Sequence, residues 1–314
     1  MAEFALIAAI QARVASRADV ILGIGDDAAL LQPPPGMQLV VAMDTLNAGV
    51  HFPDGTAPAD IGWKALAVNL SDLAAMGATP AWCTLSLSLP DADAAFVSGF
   101  LDGFDALARE HGVALVGGDT TRGPLSISVA VHGFVAPGEA LRRSGAHVGD
   151  DVWISGPLGD AAGALAQWQA GHAMTPALAA RLQRPQPRLA LGIALRGIAS
   201  ACIDVSDGLL ADLSHVCAAS GVGARVALSR LPASDALRAA YDAGAMQALQ
   251  ATGGDDYELC FTAPAHVREA VAALGSGGAA PTRIGEVVAG RGVTALRADG
   301  SPWQPRSGGY QHFG

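Results

Sequence analysis

The residues best suited to chemistry in this 314-residue chain are aspartates, placed beside glycines or at the ends of short apolar runs. Asp26 and Asp27 occur in LGIGDDAALL, Asp44 ends MQLVVAMD, and Asp72 lies in NLSDLAAMG. Asp119 follows in VGGDTT, Asp204 and Asp207 in DVSDGL, and Asp255 and Asp256 in TGGDDYEL. Oxygen-only ligands of this kind suit Mg²⁺, which takes a few carboxylates together with substrate phosphate oxygens. A glycine loop that carries acids becomes a phosphate site once a cation inverts its charge. The spacing alone reads as a Mg²⁺-dependent enzyme acting on phosphates.

Simpler roles compete at several positions. Ser206 or Asp207 could cap the helix expected at GLLADL, and Asp119 before two threonines could be a turn residue. Asp72 resists such a reading, because it falls near the C-terminal end of an apolar helix, where the dipole disfavours negative charge. Asp204 lies within an apolar strand, too early to be a cap.

Other phosphate and metal motifs fail. GIGDDA after a strand fits GxGxxA, and Asp44 lies near where a ribose-binding acid belongs. That fingerprint needs a crossover helix, and Pro33, Pro34 and Pro35 forbid one, so a strand, a turn and a returning strand are expected. A P-loop needs a lysine after its glycines, whereas the single lysine, Lys64, lies inside a helical pattern. No EF-hand loop and no HExxH occurs.

The elements that must position these acids alternate along the chain. In the first half, DVILGIG and MQLVVAMD read as strands. APADIGWKALAVNLSDLAAMGATP is a helix stopped at Gly77 and Pro80, and AWCTLSLSLP is a strand. DADAAFVSGFLDGFDALAREHG is a helix with acids in its first turn, and VALVGGDT and PLSISVAVHGFV are strands. The basic link PGEALRRSGAHVGD, near 137–149, separates a first domain (1–137) from a second (149–314). The second restarts with a strand, a glycine loop and a helix in DVWISGPLGDAAGALAQWQAG. It ends in strands around TRIGEVVAG and GVTALRADG. Each half is expected to be an α/β layered domain.

Composition limits the rest. Lys plus Arg number 19 against 29 for Asp plus Glu, a net charge of −10, which argues against a nucleic-acid binder. The 51% apolar content supports a large core, yet no run approaches a membrane span. Cys83, Cys202, Cys217 and Cys260 have no close spacing and read as buried thiols in a reducing cytoplasm. MAEFALIAAIQARVAS carries an early Glu3 and no basic segment, so it reads as an amphipathic helix rather than a signal peptide.

In combination, GIGDDAA, MDTL…GVHF, NLSDLAAMGATP, VGGDTTRG, LRRSGA, DVSDGL and GGDDYEL resemble the thiamine-monophosphate kinase family, in order and approximate spacing, from about Asp19 to Phe313. The wider superfamily includes aminoimidazole ribonucleotide synthetase, selenophosphate synthetase and a hydrogenase maturation factor. Selenophosphate synthetase-like proteins carry a reactive Cys or selenocysteine and a Lys near the N-terminus. Here the first cysteine is Cys83 and the first lysine Lys64.

The resemblance implies two α+β layered domains of the aminoimidazole ribonucleotide synthetase-like fold. The N-terminal domain would bind ATP and Mg²⁺ and pair through its sheet in a homodimer, and the C-terminal domain would complete the active site. Carried over by motif, Asp27, Asp44, Asp72, Asp119, Asp204 and Asp207 match magnesium ligands. Gly118, Asp119, Arg143 and Ser206 match ATP-contacting positions, and His51, Asp255 and Tyr310 match contacts to thiamine monophosphate. Each of the last group has a plainer role open to it: His51 as an exposed loop residue, Tyr310 as packing, and likewise Arg143 as a linker charge. Three departures stand out. Ala42 and Met43 precede Asp44 where a Ser or Thr is frequent, Asp255 replaces a common Glu, and Arg142 beside Arg143 could trade roles with it.

The implied reaction is ATP plus thiamine monophosphate giving ADP plus thiamine diphosphate, by direct in-line transfer without a general base. One alternative is a sibling ATP-dependent ligase making an imidazole ribonucleotide. Another is a catalytically silent binder of metal and nucleotide.

Overall fold

The computed structural model describes residues 7, 10–14, 17–275 and 280–305. Most of the amphipathic helix expected at the N-terminus falls outside them, as does Tyr310. The chain divides into two compact units, Met1–Leu73 with Ala78–Gly138, and Ala74–Gly77 with Glu139–Gly314.

The first unit begins with β1 (Val20–Leu22) and β2 (Leu30–Leu31), an antiparallel pair whose turn carries the acidic glycine loop. The expected return strand is therefore present in place of a crossover helix. The main sheet has the order β3-β6-β4-β5, made of β3 (Gln38–Asn47), β4 (Thr79–Leu89), β5 (Ala114–Arg122) and β6 (Ser126–Val135). Only β4 and β5 run parallel among its pairs, joined through α2 (Ala94–Glu110).

Helix α1 (Pro58–Ala75) is buried along almost its whole length, with Leu66, Leu70 and Leu73 fully enclosed at helical spacing. A helix apolar on nearly all sides belongs in a core, which makes its polar members Lys64, Asn69 and Asp72 conspicuous. It meets α2 at close range: a Cβ on Gly62 would stand 1.9 Å from the Phe100 carbonyl oxygen. The acid expected in the first turn of α2 is instead its cap, Asp93, which accepts from the Ala95 and Phe96 amides.

The second unit holds a seven-stranded sheet of order β13-β12-β9-β11-β7-β10-β8. Its strands are β7 (Asp151–Ile154), β8 (Ala201–Asp204), β9 (Gly223–Ala227), β10 (Leu259–Ala263), β11 (Thr282–Val288), β12 (Gly292–Leu296) and β13 (Pro302–Trp303). Its helices are α3 (Asp160–Gln169), α4 (Pro176–Gln183), α5 (Leu189–Ala194), α6 (Leu209–Ser220), α7 (Asp235–Ala240), α8 (Ala243–Thr252) and α9 (Arg268–Ala272). Leu213, Val216 and Cys217 of α6 share a core with Val152, Ile154, Ile203, Val226 and Ile284 from the sheet. Both units thus mix sheet and helix in layers, as expected from the alternation of patterns.

Candidate active site

In the first unit the acids lie in the β1–β2 turn, on β3, on α1 and on β5. Asp26 and Asp27 are exposed in the β1–β2 turn, where the Asp27 amide donates to Asp26 Oδ1 at 2.8 Å. Asp44 is exposed on β3, and its amide donates to Asn69 Oδ1 at 2.8 Å. Asn69, almost fully buried, in turn donates from Nδ2 to the Ala65 carbonyl at 2.9 Å. Asn69 and Asp72 are one turn apart on α1, so the helix face that grips the Asp44 backbone also carries Asp72. Asp72 is half-buried near a helix end whose last turn has no basic residue.

Gly118 and Asp119 lie inside β5, opposite Leu85 and Ser86 of β4. Asp119 is therefore a strand residue, and the turn reading does not hold. A Cβ at Gly118 would stand 1.9 Å from the Leu85 carbonyl oxygen, so no side chain fits there. Glycine at this place leaves bare backbone beside an exposed carboxylate.

His51 follows β3. Its Nδ1 accepts from the Asn47 amide at 3.0 Å, which leaves Nε2 to carry the proton in the neutral ring. The His51 carbonyl accepts from Lys64 Nζ at 2.9 Å. Lys64 is only 2% exposed, so the chain's single lysine shapes this loop from inside α1.

In the second unit Asp204 ends β8, a strand buried throughout. Ser206 and Asp207 form the turn that leads to α6, whose N-cap is Gly208 with no side-chain cap. The capping alternative for these two residues therefore fails. Asp212, on the first turn of α6, folds back instead, and one of its oxygens accepts from the Ser206, Asp207 and Gly208 amides at 3.1 Å each. Burial, and then the neighbouring Asp204 and Asp207 charges, push the Asp212 carboxyl up to about 7, against the Asp207 and Gly208 amide bonds that favour its ionised form.

Arg142 and Arg143 are both exposed. Their backbones are docked, the Arg142 carbonyl accepting from the Cys202 amide at 2.9 Å and the Arg143 carbonyl from Ser220 Oγ at 3.3 Å. Asp255 is tied to the DVSDGL segment through its amide, which donates to the Ser206 carbonyl at 2.9 Å.

The two acids that flank Asp255 and Tyr257 face inward. Asp256 accepts the Gly159 amide, at the head of α3, on both oxygens at 3.0 and 2.9 Å. Burial raises its pKa well above the carboxylate range, only partly opposed by that amide and Arg181. Glu258, fully enclosed, accepts from Arg181 Nη2 at 2.6 Å and Arg188 Nε at 2.7 Å, and also bonds Ser155 Oγ.

The carboxylate donors in both units are oxygen-only, and Asp204, Asp207 and Asp212 place negative charge close together in the second unit, a field that a divalent cation offsets. Among the described residues no three His, Cys, Asp or Glu side chains form a ready-made cage. Mg²⁺ does not ask for one, since it keeps waters and binds through one or two carboxylates plus phosphate oxygens. The donor set fits that ion.

Comparison with known proteins adds the family. Residues 25–135 match the family described as AIR synthase related protein, N-terminal domain, and residues 147–297 its C-terminal domain. The thiamine-monophosphate kinase of Salmonella typhimurium is 48% identical over 319 residues, covering 99% of this chain and 98% of that protein. The chain belongs to the thiamine-monophosphate kinase family.

Solved structures of the family superpose closely. The enzyme from Stenotrophomonas maltophilia matches with a TM-score of 0.88 and 54% identity, over 96% of this chain and 98% of its own. A structure described as AaThiL complexed with AMPPCP and TMP matches with a TM-score of 0.79 and 33% identity, over 99% and 97% of the two chains. The two-domain α+β architecture expected from the motifs is that of the family. The motifs do not single out Asn69, Asp212, Tyr257 or Glu258, which brace these segments, and they give Lys64 no role beside them. The signal was available for two of them, a charged residue inside an apolar helix and a Glu opening an apolar strand.

Proposed function

We propose that this protein transfers the γ-phosphoryl group of ATP to thiamine monophosphate, giving ADP and thiamine diphosphate. The observation that carries this reading is the full-length likeness to thiamine-monophosphate kinases, including a relative solved with AMPPCP and TMP together. A phosphate oxygen of the acceptor attacks the γ-phosphorus in line. The bond from that phosphorus to the β–γ bridging oxygen breaks, and ADP leaves with the electron pair.

The acceptor is a phosphate monoester with a second pKa of about 6, so its oxygen is ionised at neutral pH and no base need take a proton. What remains is repulsion between two polyanions, so catalysis becomes a matter of position and charge. Asp27, Asp44, Asp72, Asp119, Asp204 and Asp207 would hold Mg²⁺, which when bound neutralises phosphate charge and aligns donor and acceptor. Gly118 and Asp119 would contact ATP. The Ser206 hydroxyl and the exposed Arg143 guanidinium would contact ATP, with Arg142 able to replace Arg143. His51 through Nε2 and Asp255 would face the thiamine phosphate, as would Tyr310, which lies outside the described residues.

We assign nucleotide and metal binding chiefly to the N-terminal unit, with the C-terminal unit completing the site, and infer a homodimer paired through the N-terminal sheet. Supporting the pairing, β3 is an edge strand whose Leu39, Val41 and Met43 lie on one face and are 49%, 56% and 65% exposed. The cytoplasm fits as the compartment, since all four cysteines are free and buried. Among the described residues no helix is long and apolar enough to cross a membrane.

The test is ADP release with Mg·ATP and three separate acceptors: thiamine monophosphate, free thiamine and formylglycinamidine ribonucleotide. Release with the monophosphate alone is expected. Release with the ribonucleotide alone would move the protein to the ligase branch, and ATP binding without release from any acceptor would favour a silent binder.

A further inference from the structure

Among the described residues other than glycine, two have a left-handed backbone, Asp255 at φ 68° and Tyr257 at φ 50°. They stand two apart on the segment joining α8 to β10. Aspartate enters this region readily, whereas a bulky aromatic residue does so only when its surroundings force it. The forcing contacts are visible. The Asp255 amide donates to the Ser206 carbonyl at 2.9 Å and the Tyr257 amide to the Val205 carbonyl at 2.8 Å. Between and beyond them, Asp256 is anchored on the Gly159 amide and Glu258 on Arg181 and Arg188.

This backbone brings the Tyr257 hydroxyl to Asp255 Oδ1, to which it donates at 3.0 Å. The ring itself is buried, with 8% of the residue exposed, while Asp255 is only half-buried. Burial of a ring calls for no hydroxyl, and phenylalanine would serve it equally. Here the hydroxyl is directed at a carboxylate that reaches solvent.

We propose that Tyr257 is a positioning residue for the acceptor: by holding one oxygen of Asp255 it fixes the direction in which the carboxylate meets thiamine monophosphate. This rests on thiamine monophosphate being the acceptor. The same segment is bonded to Val205 and Ser206, between Asp204 and Asp207, so the carboxylate is held in register with the donor side of the reaction within this unit. Tyr257 is assigned no contact with substrate.

The experiment uses the full chain with Tyr257→Phe, Asp255→Asn and the double variant, at saturating Mg·ATP and varied thiamine monophosphate. Tyr257→Phe is expected to raise KM for thiamine monophosphate about five- to tenfold, the scale of one net hydrogen bond. KM for ATP should stay within about twofold, and in the Asp255→Asn background Tyr257→Phe should add less than about twofold. A merely structural tyrosine would instead lower the urea midpoint or move both KM values together. An unchanged KM for thiamine monophosphate, or the full penalty persisting without the Asp255 carboxylate, overturns the inference. If Tyr257→Phe does not fold, Asp255→Asn alone decides, since an unchanged KM there removes the need for positioning. Absence of turnover in the unaltered protein would remove the proposed function and this inference together, whereas turnover with an indifferent Tyr257→Phe removes only the inference.

Discussion

At the scale of single residues, Asp72 and Asp207 are informative: Asp72 occupies a place that folding alone does not favour, and Asp207 stands before a helix that it does not cap. Asp72 sits on a core helix near the end where its charge opposes the dipole. Asp207 stands at the entrance to α6, whose N-cap is Gly208. Asp72→Asn and Asp207→Asn should therefore each lower kcat by at least about 10²-fold, the scale on which a single electrostatic group acts at a reacting centre. Their urea unfolding midpoints should stay close to that of the unaltered protein. A folded variant with near-normal turnover would remove that residue from the metal set.

Asp72 stands out in the sequence because it violates a local rule. Asp212 does not, since an acid in the first turn of a helix is ordinary. Its service to the Ser206, Asp207 and Gly208 amides depends on how the preceding turn folds back over it.

At the scale of elements, the segment between α8 and β10 is set by its buried flanks. Glu258 is enclosed and paired with two guanidinium groups, both of them half-buried. Removing one partner from such a group leaves charge without compensation, which is worse than never having buried it. Glu258→Gln should lower unfolding stability by about 3 kcal/mol in urea titrations. It should also raise KM for thiamine monophosphate, because Asp255 loses its fixed frame. An equally stable variant would show that the arginines are satisfied without the charge.

The strand and helix patterns around these elements could be read from periodicity. β4, β6 and α1 follow their apolar spacing, and Pro33 to Pro35 correctly exclude a crossover helix after the glycine loop. The partners of Glu258 come from α4 and the start of α5, some 70 residues away in sequence, and no local pattern announces a pairing at that distance.

For the whole molecule, the exposed face of β3 is the surface through which we propose that two copies pair. Leu39, Val41 and Met43 form an apolar row on an edge strand, a surface that monomeric proteins seldom leave uncovered. Val41→Asp should shift the sedimentation coefficient from that of a dimer to that of a monomer at micromolar concentration. A species unchanged by Val41→Asp would mean that the chains do not pair through this face. That this stretch is a strand can be seen in the sequence, although LVVAM is apolar throughout and does not alternate. Whether a second copy covers it cannot, because edge and interior strands share one pattern.

The central claim is that the phosphate of thiamine monophosphate accepts the γ-phosphoryl group of ATP, and phosphorus NMR of the reaction mixture tests it most directly. With Mg·ATP and thiamine monophosphate, the account predicts that the monophosphate resonance disappears. The two coupled resonances of thiamine diphosphate should replace it, in equal amount with ADP. ADP accompanied by inorganic phosphate, with the monophosphate resonance intact, would contradict it.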